Sequence, residues 1–265
     1  MVAEDLELDT VVPPLLAEAG AIALKWFRTA LIADDKNAGR ADGFDPVTEA
    51  DRGIEDLLRR RLSERYPDHQ IIGEEQGVSG TVGRYRWLID PIDGTKSFVS
   101  GSPLWGILLG LLDGDEPIAG WVHQPYLDET FASVGSDAWF AHAGERRPLR
   151  SRTGRHLDSA VMYTTFPGMF SPGRELDAFT RLSDAVQLTR FGGDCYSYCM
   201  LAMGQVDLVV EASLQPYDIV PLIPIVEASG GVITDLSGHR PLNGGFVVAA
   251  ANADLHREAM DCIVP

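Results

Sequence analysis

The sequence predicts a mixed α/β fold in which 265 residues build two joined halves of one compact unit. Three observations point there. Near the N-terminus two stretches carry apolar residues at helical spacing, Thr10 to Ile32 and a run ending near Pro67. Between Leu104 and His142, strand-like runs are separated by Asp-Gly-Asp and Val-Gly-Ser-Asp turns, the pattern of an antiparallel meander. After Ala160 short strands alternate with helices, the rhythm of an α/β layer that binds ligands at strand ends. The basic stretch Glu145 to Arg155 lies at the junction, dividing an N-terminal α+β half, residues 1–150, from a C-terminal α/β half, residues 151–265.

In chain order, Val11, Leu15, Leu16, Ala19, Ile22, Ala23 and Trp26 form the core face of the first helix. Asp34 to Phe44 is polar, with Gly39 and Gly43, and reads as a mobile hairpin or loop near an entrance. Thr48 and Asp51 stand three apart, as in a capping box, before a helix with Ile54, Leu57, Leu58 and Leu62 on its apolar face. Strands are expected at Ile71 to Gly73, Trp87 to Asp90, Leu104 to Leu112, Pro117 to His123, Thr130 to Val134 and Ala138 to Ala141. The junction reads as a solvated loop, with a subunit contact or phosphate steering as alternatives. Beyond it come a strand at Ala160 to Thr164, a helix at Arg174 to Leu182, a strand at Val186 to Thr189 and a helix at Tyr196 to Met203. A strand at Val206 to Glu211, a helix at Asp218 to Ser229, strands at Val232 to Thr234 and Phe246 to Ala250, and a last helix from about Ala253 complete the chain.

Composition narrows the function. A net charge of -17, from 39 acidic and 22 basic side chains, disfavours a nucleic-acid partner, which would need clustered Lys and Arg. An acidic protein that handles anionic phosphates needs cations to reverse the local field. No apolar run approaches the roughly 20 residues that span a bilayer, and the first residues lack the pattern of a signal peptide. Cys195, Cys199 and Cys262 make an odd count without zinc spacing, which fits a reducing, cytoplasmic setting.

The chemistry concentrates in Asp90-Pro91-Ile92-Asp93-Gly94-Thr95, where a strand ends in two aspartates and a helix begins. The aspartates are hard oxygen donors suited to Mg²⁺, and the free N–H groups near Gly94 and Thr95 suit a phosphate. Asp51 either caps its helix or reaches this site, and both roles are compatible. Glu74, at the end of its own short strand, brings a third carboxylate if that strand lies beside the one ending in Asp90. Asp218 opens a helix after a strand-loop; it is either a cap or a fourth carboxylate, from the second half.

Gly73-Glu74-Glu75, the run from Asp90 to Thr95, and an aromatic-Asp pair before Glu227-Ala228-Ser229-Gly230-Gly231 resemble, in order and spacing, the signature regions of the inositol monophosphatase family. The resemblance implies a layered α-β-α-β-α sandwich, hydrolysis of a small-molecule phosphate monoester with two or three Mg²⁺ ions per site, Li⁺ sensitivity and a homodimer. It implies that Glu74, Asp90, Asp93, Asp218 and the Ile92 carbonyl ligate metal. Asp51, Thr95 and Glu74 would orient and deprotonate the attacking water, Gly94 and Thr95 would hold the phosphate, and displacement would go directly to water without a phosphoenzyme.

Tyr217 stands where the family usually has Trp. With Lys96-Ser97-Phe98 and the run Phe191 to Tyr198, it is more similar to the histidinol-phosphate phosphatase branch. A substrate with an ammonium and an imidazole needs carboxylates beyond those that hold metal, and Asp93, Asp194 and Glu211 are the candidates. Asp194 also fits an N-cap of the following helix. The rival substrates are inositol or other sugar phosphates and bisphosphate nucleotides. A non-catalytic phosphate sensor on the same fold is disfavoured by the joint presence of Asp51, Glu74 and Thr95.

Overall fold

The computed structural model describes residues 6–29, 34–35, 46–47 and 49–263. Helix α1 (Leu8–Trp26) and helix α2 (Glu49–Arg65) turn Val12, Leu15, Leu16 and Ala19, and Ile54, Leu58 and Leu62, into one shared core. Between them β1 (Asp34–Asp35) pairs antiparallel with β2 (Pro46–Val47). The rest of the expected loop from Asp34 to Phe44, and Thr48 of the expected capping box, lie outside the described residues.

The first large sheet contains β3 (Gln70–Gly73), β4 (Gly77–Ser79), β5 (Tyr85–Asp93), β6 (Gly106–Asp113), β7 (Glu116–Gln124), β8 (Glu129–Val134), β9 (Asp137–His142) and β10 (Glu145–Pro148). Its order is β10-β9-β8-β7-β6-β5-β3-β4, antiparallel except where β3 runs parallel to β5. Helix α3 (Thr95–Ser100) leaves the end of β5. The expected meander is there as β6 to β9, extended by β10 on one edge and by β5, β3 and β4 on the other.

The second sheet has the order β12-β11-β13-β15-β14, with β11 (Val161–Thr164), β12 (Leu188–Phe191), β13 (Leu208–Leu214), β14 (Val232–Thr234) and β15 (Gly245–Ala250). β11 is parallel to both its neighbours, and the remaining pairs are antiparallel. Interspersed are α4 (Arg174–Ala185), α5 (Cys195–Ala202), α6 (Pro216–Ile219), α7 (Leu222–Ser229) and α8 (Ala253–Ile263).

Side-chain alternation along buried strands builds the layers. On β5, Trp87 and Ile89 join the core of α1 and α2, while Leu88 between them joins a second core with α5 and α7. On β13, Val209 belongs to that second core, and Leu208 and Val210 to a third with α4 and α8. The result is the expected α-β-α-β-α sandwich. No helix among the described residues is long and apolar enough to cross a membrane.

Trp26, expected on the core face of α1, is 37% exposed, and the structure corrects the sequence reading at two further places. The helix expected from Asp218 to Ser229 is two helices with a corner at Val220 and Pro221. The corner sits on Gly110 and Gly120, paired across β6 and β7: a Cβ on Gly120 would lie 2.8 Å from the Pro221 carbonyl carbon, and one on Gly110 3.1 Å from its Cα. This bare patch of sheet lets α6 approach the first half. Gly120→Ala is therefore expected to destabilise the chain by about 1–3 kcal/mol through overpacking, read by urea denaturation.

The basic junction, expected as a solvated loop, is partly stitched down. Its first residues form edge strand β10, and Arg152 reaches the fully buried Asp207 at 3.2 and 3.3 Å and the Gly204 carbonyl at 3.0 Å. A carboxylate removed from water needs such partners, so this arginine is bound into the second half.

Candidate active site

The parallel pairing of β3 with β5 places Gly73 opposite Ile89, and the Glu74 N–H donates to the Ile89 carbonyl at 3.2 Å. Glu74 thus stands beside Asp90, as the sequence required for a shared site. Asp90 and Asp93 are three apart, and on a regular strand they would face opposite sides. A bulge removes that conflict: Asp90 pairs with Leu108 and Asp93 with Gly106, so one extra residue is accommodated on β5. Pro91, which has no N–H to offer the ladder, suits that position, and the Ile92 N–H donates to Asp90 Oδ1 at 3.1 Å. Asp218 arrives from α6 in the second half, and its Oδ2 accepts the Gln215 N–H at 2.8 Å.

Asp90, Asp93 and Asp218 each bring a carboxylate oxygen within 4.8 Å of the others. Glu74 lies outside this tight trio but lines the same cavity of about 890 Å³, together with Ile92, Gly94, Thr95, Asp194 and Glu211. Asp51 does not line it; in the first turn of α2 and 1% exposed, it acts through its charge. Burial above all, then the charges of Glu74, Asp93, Asp218 and Asp51, push the Asp90 carboxyl well above its usual range. Asp218 is raised likewise by burial and by Asp93. Asp93 is raised by burial and held back by Cys195, through its thiol and through its N–H, which donates to Asp93 Oδ2 at 2.6 Å. Lys96 is the one Lys or Arg side chain among the lining residues. So many hard oxygen donors with so little positive charge fit a resident divalent cation of the Mg²⁺ type.

Gly94 takes φ 84°, and a Cβ there would lie 3.1 Å from the Asp194 carboxylate and 3.0 Å from the Leu104 carbonyl oxygen, so the close approach requires glycine. The Thr95 hydroxyl donates to the Ile92 carbonyl at 3.0 Å. This bond fixes the rotamer and leaves the oxygen's remaining lone pairs to accept from another donor.

Asp194 stands at the N-cap position of α5, as the sequence allowed, but its side chain makes no capping hydrogen bond. Gly192, Gly193 and Asp194 have φ of 80°, 146° and 46°. The carboxylate instead accepts the Ser97 hydroxyl at 2.9 Å. Burial and Asp93 push its pKa up to about 7, against the pull of Ser97 and Lys96. Glu211 stands at a second bulge, where Glu211 pairs with Val247 and Leu214 with Gly245. It is 2% exposed, and its Oε1 accepts the Thr165 N–H at 3.1 Å and the Thr165 hydroxyl at 2.5 Å.

Burial raises Glu211 from its ordinary 4.5 to about 8, with the Thr165 bond opposing the shift. Between those values the unfolded chain binds fewer protons here than the folded one, so stability from this group is full below the lower value and is lost as pH rises through the upper one. Glu211→Gln cannot ionise. In chelated protein its melting temperature is expected to gain on the wild type between pH 5 and pH 8, by on the order of 2–4 °C per kcal/mol. A constant difference across that range would contradict the assignment.

Thr165 and Ser97 were not singled out in the sequence as site residues. Thr165 carries no motif; the parallel β11–β13 register sets Tyr163 opposite Val209 and so brings Thr165 to Glu211. Phe166 also lines the cavity, with Lys96 Nζ 5.3 Å from its ring centroid.

Comparison with known proteins places the chain in a family. The model of the inositol monophosphatase family matches residues 5–264. The chain is 38% identical over 278 residues to the bifunctional phosphatase IMPL2, chloroplastic, of Arabidopsis thaliana, covering 98% of this chain and 76% of that protein. It is 38% identical over 226 residues to a histidinol-phosphatase of Streptomyces coelicolor, covering 81% and 82%. The solved structure of an inositol monophosphatase from Zymomonas mobilis superposes with a TM-score of 0.83 at 33% identity, covering 98% of this chain and 97% of that one. This chain belongs to the inositol monophosphatase family.

Proposed function

We propose that the chain is a Mg²⁺-dependent phosphomonoesterase that converts L-histidinol phosphate and water to L-histidinol and phosphate, a late step of histidine synthesis. The observation that carries the substrate choice is Asp194: a largely buried carboxylate on the cavity wall, outside the trio of Asp90, Asp93 and Asp218. A cationic leaving group would add to the pull of Lys96 on this acid and would give Glu211 a positive partner. The likeness to a histidinol-phosphatase of Streptomyces coelicolor supports the same reading.

Asp90, Asp93, Asp218, Glu74 and the Ile92 carbonyl would hold Mg²⁺. When bound, such cations lower the pKa of water and offset charge on the phosphoryl and leaving oxygens. The chain's own groups do the rest. Thr95 Oγ1, its proton committed to the Ile92 carbonyl, accepts a hydrogen bond from the attacking water and aims it. Glu74 takes the proton, with Asp51 setting the local field. The Gly94 and Thr95 N–H groups meet the phosphate. A P–O bond forms to water as the bond to the histidinol oxygen breaks, in line, with no covalent enzyme intermediate, and the leaving oxygen takes a proton from a solvent water. Asp93, Asp194 and Glu211 orient the released alcohol.

Glu211 also favours a second reading, an inositol or other sugar phosphate, because its carboxylate already accepts a hydroxyl, that of Thr165. Phosphate release from histidinol phosphate, inositol 1-phosphate, fructose 1,6-bisphosphate and a 3′,5′-bisphosphonucleotide, side by side with Mg²⁺, separates the readings. Histidinol phosphate is expected to be hydrolysed with the highest kcat/KM; a higher value for any other ester would remove it as the substrate.

A further inference from the structure

We infer that Glu55 and Arg59 of α2 are a positioning pair that sets the Glu74 carboxylate toward the cation. Asp51, Glu55 and Arg59 are spaced four apart and share one face of the helix. All three are charged and buried, at 1%, 0% and 7% exposure. Such a stripe is costly unless each group is partnered, and Glu55 and Arg59 find their partners in the turn that follows Glu74. Glu55 Oε2 accepts the Glu75 N–H at 2.8 Å, and its Oε1 accepts the Gln76 N–H at 3.0 Å and Arg59 Nε at 2.7 Å. Arg59 then donates to the Gly77 carbonyl at 2.5 Å and the Ser79 hydroxyl at 2.6 Å.

Glu74 is therefore fixed from both sides. Its own N–H is tied to β5, and the next two N–H groups are tied to α2. Gly73 belongs to the same device: a Cβ there would collide with Glu55 Oε1 and lie 2.7 Å from Arg59 Nη2. The one helix thus brings Asp51 to Asp90 electrostatically and holds the backbone that carries Glu74. Outer partners of this kind tune metal affinity through the ligand they orient.

The inference rests on Glu74, Asp90, Asp93 and Asp218 holding metal, and the test reads metal directly. Mn²⁺ binding to the full chain is measured from the spin-resonance signal of the free ion, for wild type, Glu55→Gln, Glu74→Gln and the double variant. Glu55→Gln is expected to weaken Mn²⁺ binding about tenfold, yet to cost almost nothing further in the Glu74→Gln background, because it acts through Glu74. Wild-type affinity in Glu55→Gln, or losses that simply add in the double variant, would overturn the inference. Arg59→Lys, which keeps the charge but loses the fork to Gly77 and Ser79, carries the same comparison if Glu55→Gln does not fold. A wild-type chain that binds no Mn²⁺ would instead sink the metal reading beneath it.

Discussion

Thr95→Ala is expected to lower kcat by about 10²–10⁴-fold, the range for loss of a positioned acid–base group, while KM changes little. The hydroxyl touches the Ile92 carbonyl and otherwise faces the cavity, so its removal takes away the acceptor that aims the attacking water and only one hydrogen bond of the fold. That bond is worth about 1 kcal/mol, too little to unfold the chain. Steady-state phosphate release, with circular dichroism on the same sample, checks both halves of the expectation. Turnover within a few-fold of wild type would remove Thr95 from the chemistry. Asp51→Asn is expected to act in the same direction, since it keeps the buried volume and deletes the charge that bears on Asp90.

Asp194→Asn addresses the leaving group. Asparagine preserves size and can still accept from Ser97, so the change is close to a removal of charge. A charge-assisted hydrogen bond is worth about 1.5–3 kcal/mol, so kcat/KM for histidinol phosphate is expected to fall about tenfold to a hundredfold. The value for inositol 1-phosphate, which carries no cation on its alcohol, is expected to stay within about threefold. Comparable losses on both substrates would show that Asp194 shapes the loop rather than pairs with a cation. The backbone gives that outcome a physical basis, because Asp194 sits at φ 46° between Gly193 and α5.

The acids of the site were legible because each is announced locally. Asp93 ends β5 with Asp90 three residues before it, Glu74 directly follows β3, and Asp218 lies in the first turn of α6; strand ends and helix starts can be read from hydrophobic period and turn residues. What brings them together was not legible. The bulges at Pro91-Ile92 and after Glu211 depend on which residues the neighbouring strands present. The Gly110–Gly120 seat for Pro221 is a cross-strand pairing invisible along the chain. Thr165, Glu55 and Arg59 carry no motif, Ser97 was read only as part of Lys96-Ser97-Phe98, and their roles arise from partners 18 to 97 positions away. The capping rule placed Asp194 at the N-cap of α5 but not its side chain, for a related reason. Its side chain is claimed by Ser97, on a helix of the other half, while the first free N–H of α5 serves Asp93.

The central claim is that a cluster of metal-holding carboxylates and a separate pair of carboxylates for a cationic alcohol share one cavity. Its most direct measurement is kcat/KM for L-histidinol phosphate relative to inositol 1-phosphate, with Mg²⁺ and again after chelation. A ratio well above one, with turnover of both esters abolished by chelation and restored by Mg²⁺, is the expected result. A ratio below one, or hydrolysis that survives chelation, would contradict it.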